Sequence, residues 1–359
     1  MASFNVNGNI VGEGGKTYFI ADIAANHDGS LSKAIELIHL ASDSGASAVK
    51  FQHFQAEKIV SKFGFESLGG KYSHQSKWKK SVDEIYKEAE VDHEWTTSLI
   101  SAANDANVDF FSAPYDFESL ELLESLNVPA YKVGSGDITW LEIIEKMASY
   151  NKPIFIATGA SNLADVDRAC NLLSKDNLAV CLMQCNTNYT GSLENFKYIN
   201  LNVLKVYKLL YPEFVLGLSD HSPGCATTLG AVALGASAIE KHFTSNSSSE
   251  GPDHAFSMMP KEWREMVDRT RELELSLGKN SKEIEENEKE TVVLQRRSIR
   301  AARDIKKGEK INKDDLVSLR PAPAGSFSPY QQQELIGRKT FSLIKKGDIL
   351  TFNNTLPDV

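Results

Sequence analysis

Two short stretches place groups capable of chemistry two residues apart. They are Ser219 and His221 in "GLSDHSPG", and Glu240 and His242 in "SAIEKHF". In an extended strand residues i and i+2 share a face. Each pair therefore points one way, while Asp220 and Lys241 point the other. If the two stretches are consecutive strands of one sheet, the two imidazoles converge. Two unrelated buried histidines are the plain alternative, but matched positions on neighbouring strands favour a metal site. Two imidazoles are too few for a closed structural zinc site. They suit a divalent ion such as Mn²⁺ or Mg²⁺ that keeps waters and takes a substrate oxygen. Lys241, on the opposite face, is expected to run its stem toward solvent and has no assigned role.

The same parity applies to "SAVKFQ", where Lys50 and Gln52 share the inward face and Val49 and Phe51 the outward one. Lys50, together with Lys132 in "PAYKVGSG", suits a substrate with several negative charges, such as a phosphorylated acid. Structural pairing with Asp22 or Glu240 is the competing reading. The glycine-flanked loops "GSGD" at Gly134 and "TGAS" at Thr158 can turn backbone N–H groups toward an anion, helped by the Ser135 and Thr158 hydroxyls. The loop "TSNSSSEGPDHAFSM" can carry Asp253 over the mouth of such a site.

These residues need a scaffold that brings strand ends together. Eight short apolar runs recur between Tyr18 and Phe243: "YFIADI", "SAVKFQ", "VDFFSAP", "PAYKVGSG", "PIFIATG", "LAVCLMQC", "FVLGLSDH" and "SAIEKHF". Amphipathic helical patterns separate them, including one after a Ser30 cap and one from Asn162 to Ser174, and a last one follows from Pro260 to Gly278. Eight strand and helix units in about 260 residues fit a closed (β/α)8 barrel better than an open doubly wound sheet. In such a barrel the site lies at the C-terminal strand ends, where this chain concentrates its polar residues. The expected domains are a barrel over 1–278, a charged linker over 279–296 containing "KNSKEIEENEKE", and a small β-rich module over 297–359. Within the module, "DIKKGEKINKDDL" and "LIKKGDILTFNNT" form a degenerate repeat.

The net charge of −9 argues against a nucleic-acid partner. There is no run of 18 or more apolar residues and no leader pattern at the N-terminus, so no membrane association and a cytoplasmic location are expected. Four cysteines without CxxC spacing are read as reduced thiols.

The ordered set "DIAANHDGSL", "GASAVKFQ", "PAYKVGSGDI", "GLSDHSPG", "AVALGASAIEKHFT", "GPDHAFSM" and "RRSIRAARDIKKGE" resembles the sialic acid synthase family over nearly the whole chain. The resemblance implies a (β/α)8 barrel followed by an antifreeze-like SAF module, in a domain-swapped homodimer. The implied reaction is condensation of phosphoenolpyruvate with an N-acylated aldose, first N-acetylmannosamine, to a nine-carbon acid. It further implies His221 and His242 as ligands of Mn²⁺, with Mg²⁺ or Co²⁺ as alternatives. Phosphoenolpyruvate contacts would come from Lys50, Ser112, Lys132, Ser135, Thr158, Thr187 and Ser219, and catalytic acids from Asp22 and Glu240. Sugar contacts would come from Asp137, Tyr189 and Asp253, with Arg320 reaching across from the partner chain. The chain departs from the family pattern at Asp22, where glutamate is usual, at Tyr189-Thr190-Gly191, and in "LRPAPAG" around Arg320. Legionaminate and pseudaminate synthases share this chemistry with other sugars. A non-catalytic sugar- or ice-binding protein and a metal-dependent sugar isomerase are the readings from other classes.

Overall fold

The computed structural model describes residues 2–68, 75, 78–174 and 178–356. It falls into two compact units, Met1–Gly278 and Lys279–Val359. The first opens with an antiparallel hairpin, β1 (Ser3–Val6) and β2 (Asn9–Gly12). Eight parallel strands follow: β3 (Tyr18–Asp22), β4 (Ala48–His53), β5 (Asp109–Pro114), β6 (Tyr131–Val133), β7 (Ile154–Ala157), β8 (Val180–Cys185), β9 (Val215–Asp220) and β10 (Ala236–His242). They run in chain order around a closed barrel, with β10 pairing back onto β3. All eight apolar runs are barrel strands.

Strand parity sorts the barrel into two cores. Outward residues such as Phe19, Val49, Phe51, Ile154 and Leu218 join the layer packed under the helices. Inward residues Tyr18, Ile20, Ala48, Phe111, Phe155, Met183 and Ala238 fill the lower half of the barrel, closed from below by Val6 and Val11 of the hairpin. This apolar floor leaves only the upper layer of inward positions for polar groups.

The helices form where the caps predict. Ser30 accepts a hydrogen bond from the Lys33 N–H and starts Leu31–Asp43, and Asn162 caps Leu163–Leu173 through the N–H groups of Ala164 and Asp165. Leu163 itself is exposed, and the buried face of that helix is Val166, Ala169, Cys170 and Leu173. The helix Pro260–Leu277 has proline in its first turn and ends at Gly278, whose φ is +52°.

The second unit has its own core, with Ile299, Ile305, Ile311, Phe327, Ile344 and Leu350 buried. It contains β11 (Ser298–Ala301) paired with β12 (Leu316–Leu319), and β13 (Lys339–Thr340) paired with β14 (Thr355–Leu356). The internal repeat is structural. Ile305 and Ile344 exchange backbone hydrogen bonds of 2.8 and 3.0 Å. Gly308 and Gly347 take equivalent positive φ values of +79° and +90°.

Candidate active site

At the C-terminal end of the barrel the inward parity delivers Asp22, Lys50, Lys132, Ser219, Glu240 and His242 into one buried layer. Register fixes their neighbours, since Asp22 lies opposite both Lys50 and His242 on adjoining strands, and Ser219 lies opposite Glu240. Lys50 Nζ is 2.8 Å from Asp22 Oδ2 and 3.5 Å from Glu240 Oε1, while Lys132 Nζ is 3.6 Å from Glu240 Oε2. Ser219 Oγ donates to Glu240 Oε1 at 3.4 Å. Two lysines and two carboxylates thus balance each other out of water. Asp22 Oδ1 and Glu240 Oε2 are buried without a hydrogen-bond partner, so each keeps a lone pair for a proton-bearing group.

Burial works against the charge of Lys50, but Asp22 and Glu240 outweigh it and raise its pKa. Lys132 is buried with weaker compensation from Glu240, and its pKa falls. His242 is driven well below the usual imidazole range, by burial first and then by His221 and Lys50, so its ring is neutral.

The two imidazoles do converge, with ring centroids 5.3 Å apart. His221 Nδ1 sits 2.8 Å from the Asn186 carbonyl oxygen. A carbonyl only accepts, so Nδ1 carries a proton and Nε2 is the nitrogen left for an ion. Burial disfavours the imidazolium, but Cys185 and the Asn186 carbonyl outweigh it and raise the pKa of the ring. His242 Nδ1 is buried without a hydrogen-bond partner. Its two nitrogens lie 3.5 Å from Asp22 Oδ2 and 4.0 Å from Asp253 Oδ2. No group of three or more His, Cys, Asp or Glu among the described residues converges as a ligand set. An ion held here would take two imidazole nitrogens and the rest of its shell from solvent and substrate.

The loop after β10 is tied down. Met258 N–H donates to the His242 carbonyl, Thr244 N–H to the Met258 carbonyl, and Asn26 Nδ2 to the Phe243 carbonyl. These bonds hold Asp253, whose Oδ2 accepts from the Ala25 N–H at 3.1 Å, and Phe256, whose ring is 4.9 Å from that of His242. Burial pushes the Asp253 carboxyl up to about 6. Tyr189 packs edge-on against His221 at 4.4 Å.

A second cradle forms behind Lys132, where the Gly159 N–H donates to Ser135 Oγ at 3.0 Å. A Cβ at Gly159 would stand 2.4 Å from Thr187 Cγ2 and 2.8 Å from Ser135 Oγ, so the close approach of these loops requires glycine. Asp137 follows in the short turn Ser135–Asp137, with its carboxyl raised to about 6 by burial against the pull of Lys132.

Three sequence expectations are corrected. Ser112 does not reach the cluster: its neighbour Phe111 takes the inward position, and Ser112 Oγ bonds outward to His53 Nδ1 at 2.7 Å. Thr158 also faces the helices, donating to the Met183 carbonyl and accepting from the Tyr207 hydroxyl. Lys241 does not run to solvent but is buried in an ion pair with Asp220. Arg320 lies in the second unit, where its Nε donates to the Gln295 carbonyl.

The residue reading missed the wall of the entrance. A cavity of about 150 Å³ beside His242 is lined by Gln52, Phe54, Tyr86, Tyr115, Tyr189 and Asp253 among others. It shares Trp78, Ile85, Ala89 and Pro252 with a wider cleft of about 730 Å³. Ring contacts run from Tyr115 through Phe54 to Tyr86 and Trp78. The aromatic residues between Phe54 and Tyr86 are the only signal the sequence offered.

Comparison with known proteins gives this geometry a family. Residues 37–282 match the NeuB family and residues 296–354 match the SAF domain. The chain is 33% identical over 341 residues to the N,N'-diacetyllegionaminic acid synthase of Campylobacter jejuni, covering 93% of this chain and 99% of the relative. It is 32% identical over 339 residues to a pseudaminic acid synthase of the same species, covering 93% and 95%. Among solved structures, the N-acetylneuraminic acid (sialic acid) synthetase of Leptospira borgpetersenii superposes with a TM-score of 0.71 at 27% identity, over 81% of this chain and 95% of that one. With its eight-stranded barrel, its inward lysine, carboxylate and histidine layer, and a family match over more than half its length, the chain belongs to the NeuB family and carries a SAF domain.

Proposed function

We propose that the chain condenses phosphoenolpyruvate and water with an open-chain N-acylated aldose, giving a nine-carbon nonulosonic acid and inorganic phosphate. The observation that carries this reading is the buried layer in which Lys50 and Lys132 stand between Asp22, Glu240 and the paired imidazoles. Lys50 and Lys132 supply the charge that holds the carboxylate and phosphate of phosphoenolpyruvate. Ser219 and the loops carrying Ser135, Gly159 and Thr187 add hydrogen-bonding and shape. Asp137, Tyr189 and Asp253 hold the acceptor sugar at the cavity beside His242.

Carbon–carbon bond formation leaves C2 of phosphoenolpyruvate electron-poor. The unpartnered oxygens of Asp22 and Glu240 then accept the proton of the water that adds there, and phosphate departs with C–O cleavage. His221 and His242 would hold a divalent ion, Mn²⁺ first with Mg²⁺ or Co²⁺ as alternatives, which supplies Lewis acidity to the acceptor aldehyde. Positioning two substrates in one closed layer is itself a large part of the expected rate.

N-acetylmannosamine is the first acceptor proposed. The aldoses that lead to legionaminate or pseudaminate are the second reading, favoured by the relatives at 33% and 32% identity. The active form is proposed to be a homodimer in which the partner chain presents Arg320. A cytoplasmic location belongs to the same reading, in which no described helix is long and apolar enough to cross a membrane.

The test is mass spectrometry of products formed from phosphoenolpyruvate, Mn²⁺ and a panel of N-acylated hexoses. A mass gain equal to one pyruvic acid, with stoichiometric phosphate, supports the reading and names the sugar. No condensation with any acceptor overturns it. Phosphate release should stop on chelation and return with Mn²⁺, and His242→Ala should remove that recovery while the fold persists.

A further inference from the structure

Lys241 is the member of the β10 triplet that the proposed reaction leaves without a task. It lies between Glu240 and His242 and faces away from the substrate, as Asp220 does between Ser219 and His221. The two residues are direct partners in the register of β9 and β10. Their side chains are 2% and 0% exposed, with Lys241 Nζ 2.5 Å from Asp220 Oδ2. Nζ also donates to the Ser222 carbonyl at 2.6 Å. Asp220 in turn accepts from the Ser222 N–H at 3.0 Å, from Ser222 Oγ at 2.9 Å and from Thr227 Oγ1 at 2.6 Å.

Stability alone does not account for this arrangement. Two opposite charges removed from water lose hydration that their attraction only partly returns, and a packed apolar pair of similar volume is commonly as stable or more so. An ion pair adds direction. Asp220 and Ser222 flank His221, and both are bound to the residue that immediately precedes His242. The contact therefore grips the backbone on both sides of one imidazole from the strand that carries the other.

We propose that Lys241 and Asp220 form a positioning pair that sets the separation of His221 and His242, and through it the affinity of the divalent-ion site. The functional half of this claim rests on the metal reading given above. The geometric half rests on the contacts alone.

The test replaces both charges with neutral groups in the full-length protein, Lys241→Met with Asp220→Asn. The readouts are the crystal structure, Mn²⁺ binding followed by the electron paramagnetic resonance of free Mn²⁺, and the melting temperature. The expected result is a melting temperature within about 5 °C of wild type, a changed separation of the two rings, and Mn²⁺ binding weakened at least about tenfold. Lys241→Arg keeps the charge but replaces a compact donor with a wider planar fork, and should fold normally while weakening Mn²⁺ about threefold. It carries the test if the double variant does not fold. Wild-type ring separation and wild-type Mn²⁺ affinity in a folded variant overturn the proposal. If the wild-type chain itself binds no Mn²⁺, the metal reading falls, and an unchanged ring separation in the variant then overturns the positioning role.

Discussion

Asp137 shows what a single residue contributes to such a site and what it costs. Burial raises its carboxyl from 3.8 to about 6, against the attraction of Lys132. That shift of about two units corresponds to about 3 kcal/mol lost from the folded state when the group ionises. The folded state favours the protonated form, so the contribution of Asp137 to stability is fully present below about pH 4, declines between about pH 4 and 6, and is absent above. Asp137→Asn should therefore raise stability against urea at pH 8 by about 2 to 3 kcal/mol and change it little at pH 4. The same variant should raise the KM for the acceptor sugar. A stability gap of equal size at both pH values would overturn the burial cause. At this scale the sequence was legible wherever parity alone decides, as for Lys50, Ser219, Glu240 and His242. Ser112 and Thr158 enter as anion contacts implied by the resemblance, but the inward placing of Phe111 and Phe155 turns both outward. The pairing of Lys241 with Asp220 needs the register between strands, which no single strand reveals.

Among the elements, the N-terminal hairpin went unread although its turn is written in the sequence. Asn7 and Gly8 take φ values of +45° and +93° between β1 and β2, as an Asn-Gly hairpin turn requires. The hairpin is latched to the barrel floor by one carboxylate. Asp109 accepts from Asn7 Nδ2 and Asn9 Nδ2 at 3.0 Å each, and from the Tyr18 hydroxyl at 2.6 Å. Asp109→Ala removes all three bonds and leaves the buried Tyr18 hydroxyl unpaired, which should cost about 2 to 4 kcal/mol of stability. The amides of residues 3–12 should then exchange hydrogen much faster, while turnover changes by less than about twofold because the reacting groups lie at the opposite end of the barrel. Undiminished protection in the hairpin would show that Val6 and Val11 hold it without the latch. The barrel strands were legible because each is a short apolar run bounded by turn residues. The aromatic entrance wall was not, because Phe54, Tyr86, Tyr115 and Tyr189 come from separate short segments, Tyr86 from the helix Val82–Glu88 and the others from chain that follows strand ends, and no one period joins them.

The whole molecule joins a large unit with its reacting groups buried in the barrel to a small one built on a separate core. Residues 279–288 between them are exposed throughout. Two cores joined by exposed chain should unfold separately, and calorimetry of the full protein is expected to resolve two transitions. The fragment 1–278 keeps every lysine, carboxylate and imidazole of the inward layer. It should retain the far-ultraviolet signal of the barrel and bind phosphoenolpyruvate with an affinity within about threefold of the full chain, because its anion contacts are all internal. Acceptor turnover should fall much further if Arg320 meets the N-acyl group of the sugar, since that guanidinium is removed with the second unit. Arg320→Ala in the full-length chain separates this cause from general destabilisation. It should reproduce most of the rise in acceptor KM while both calorimetric transitions stay in place. A fragment that turns over acceptor as well as the intact protein would remove Arg320 from the site and leave the SAF domain with a role outside the reaction.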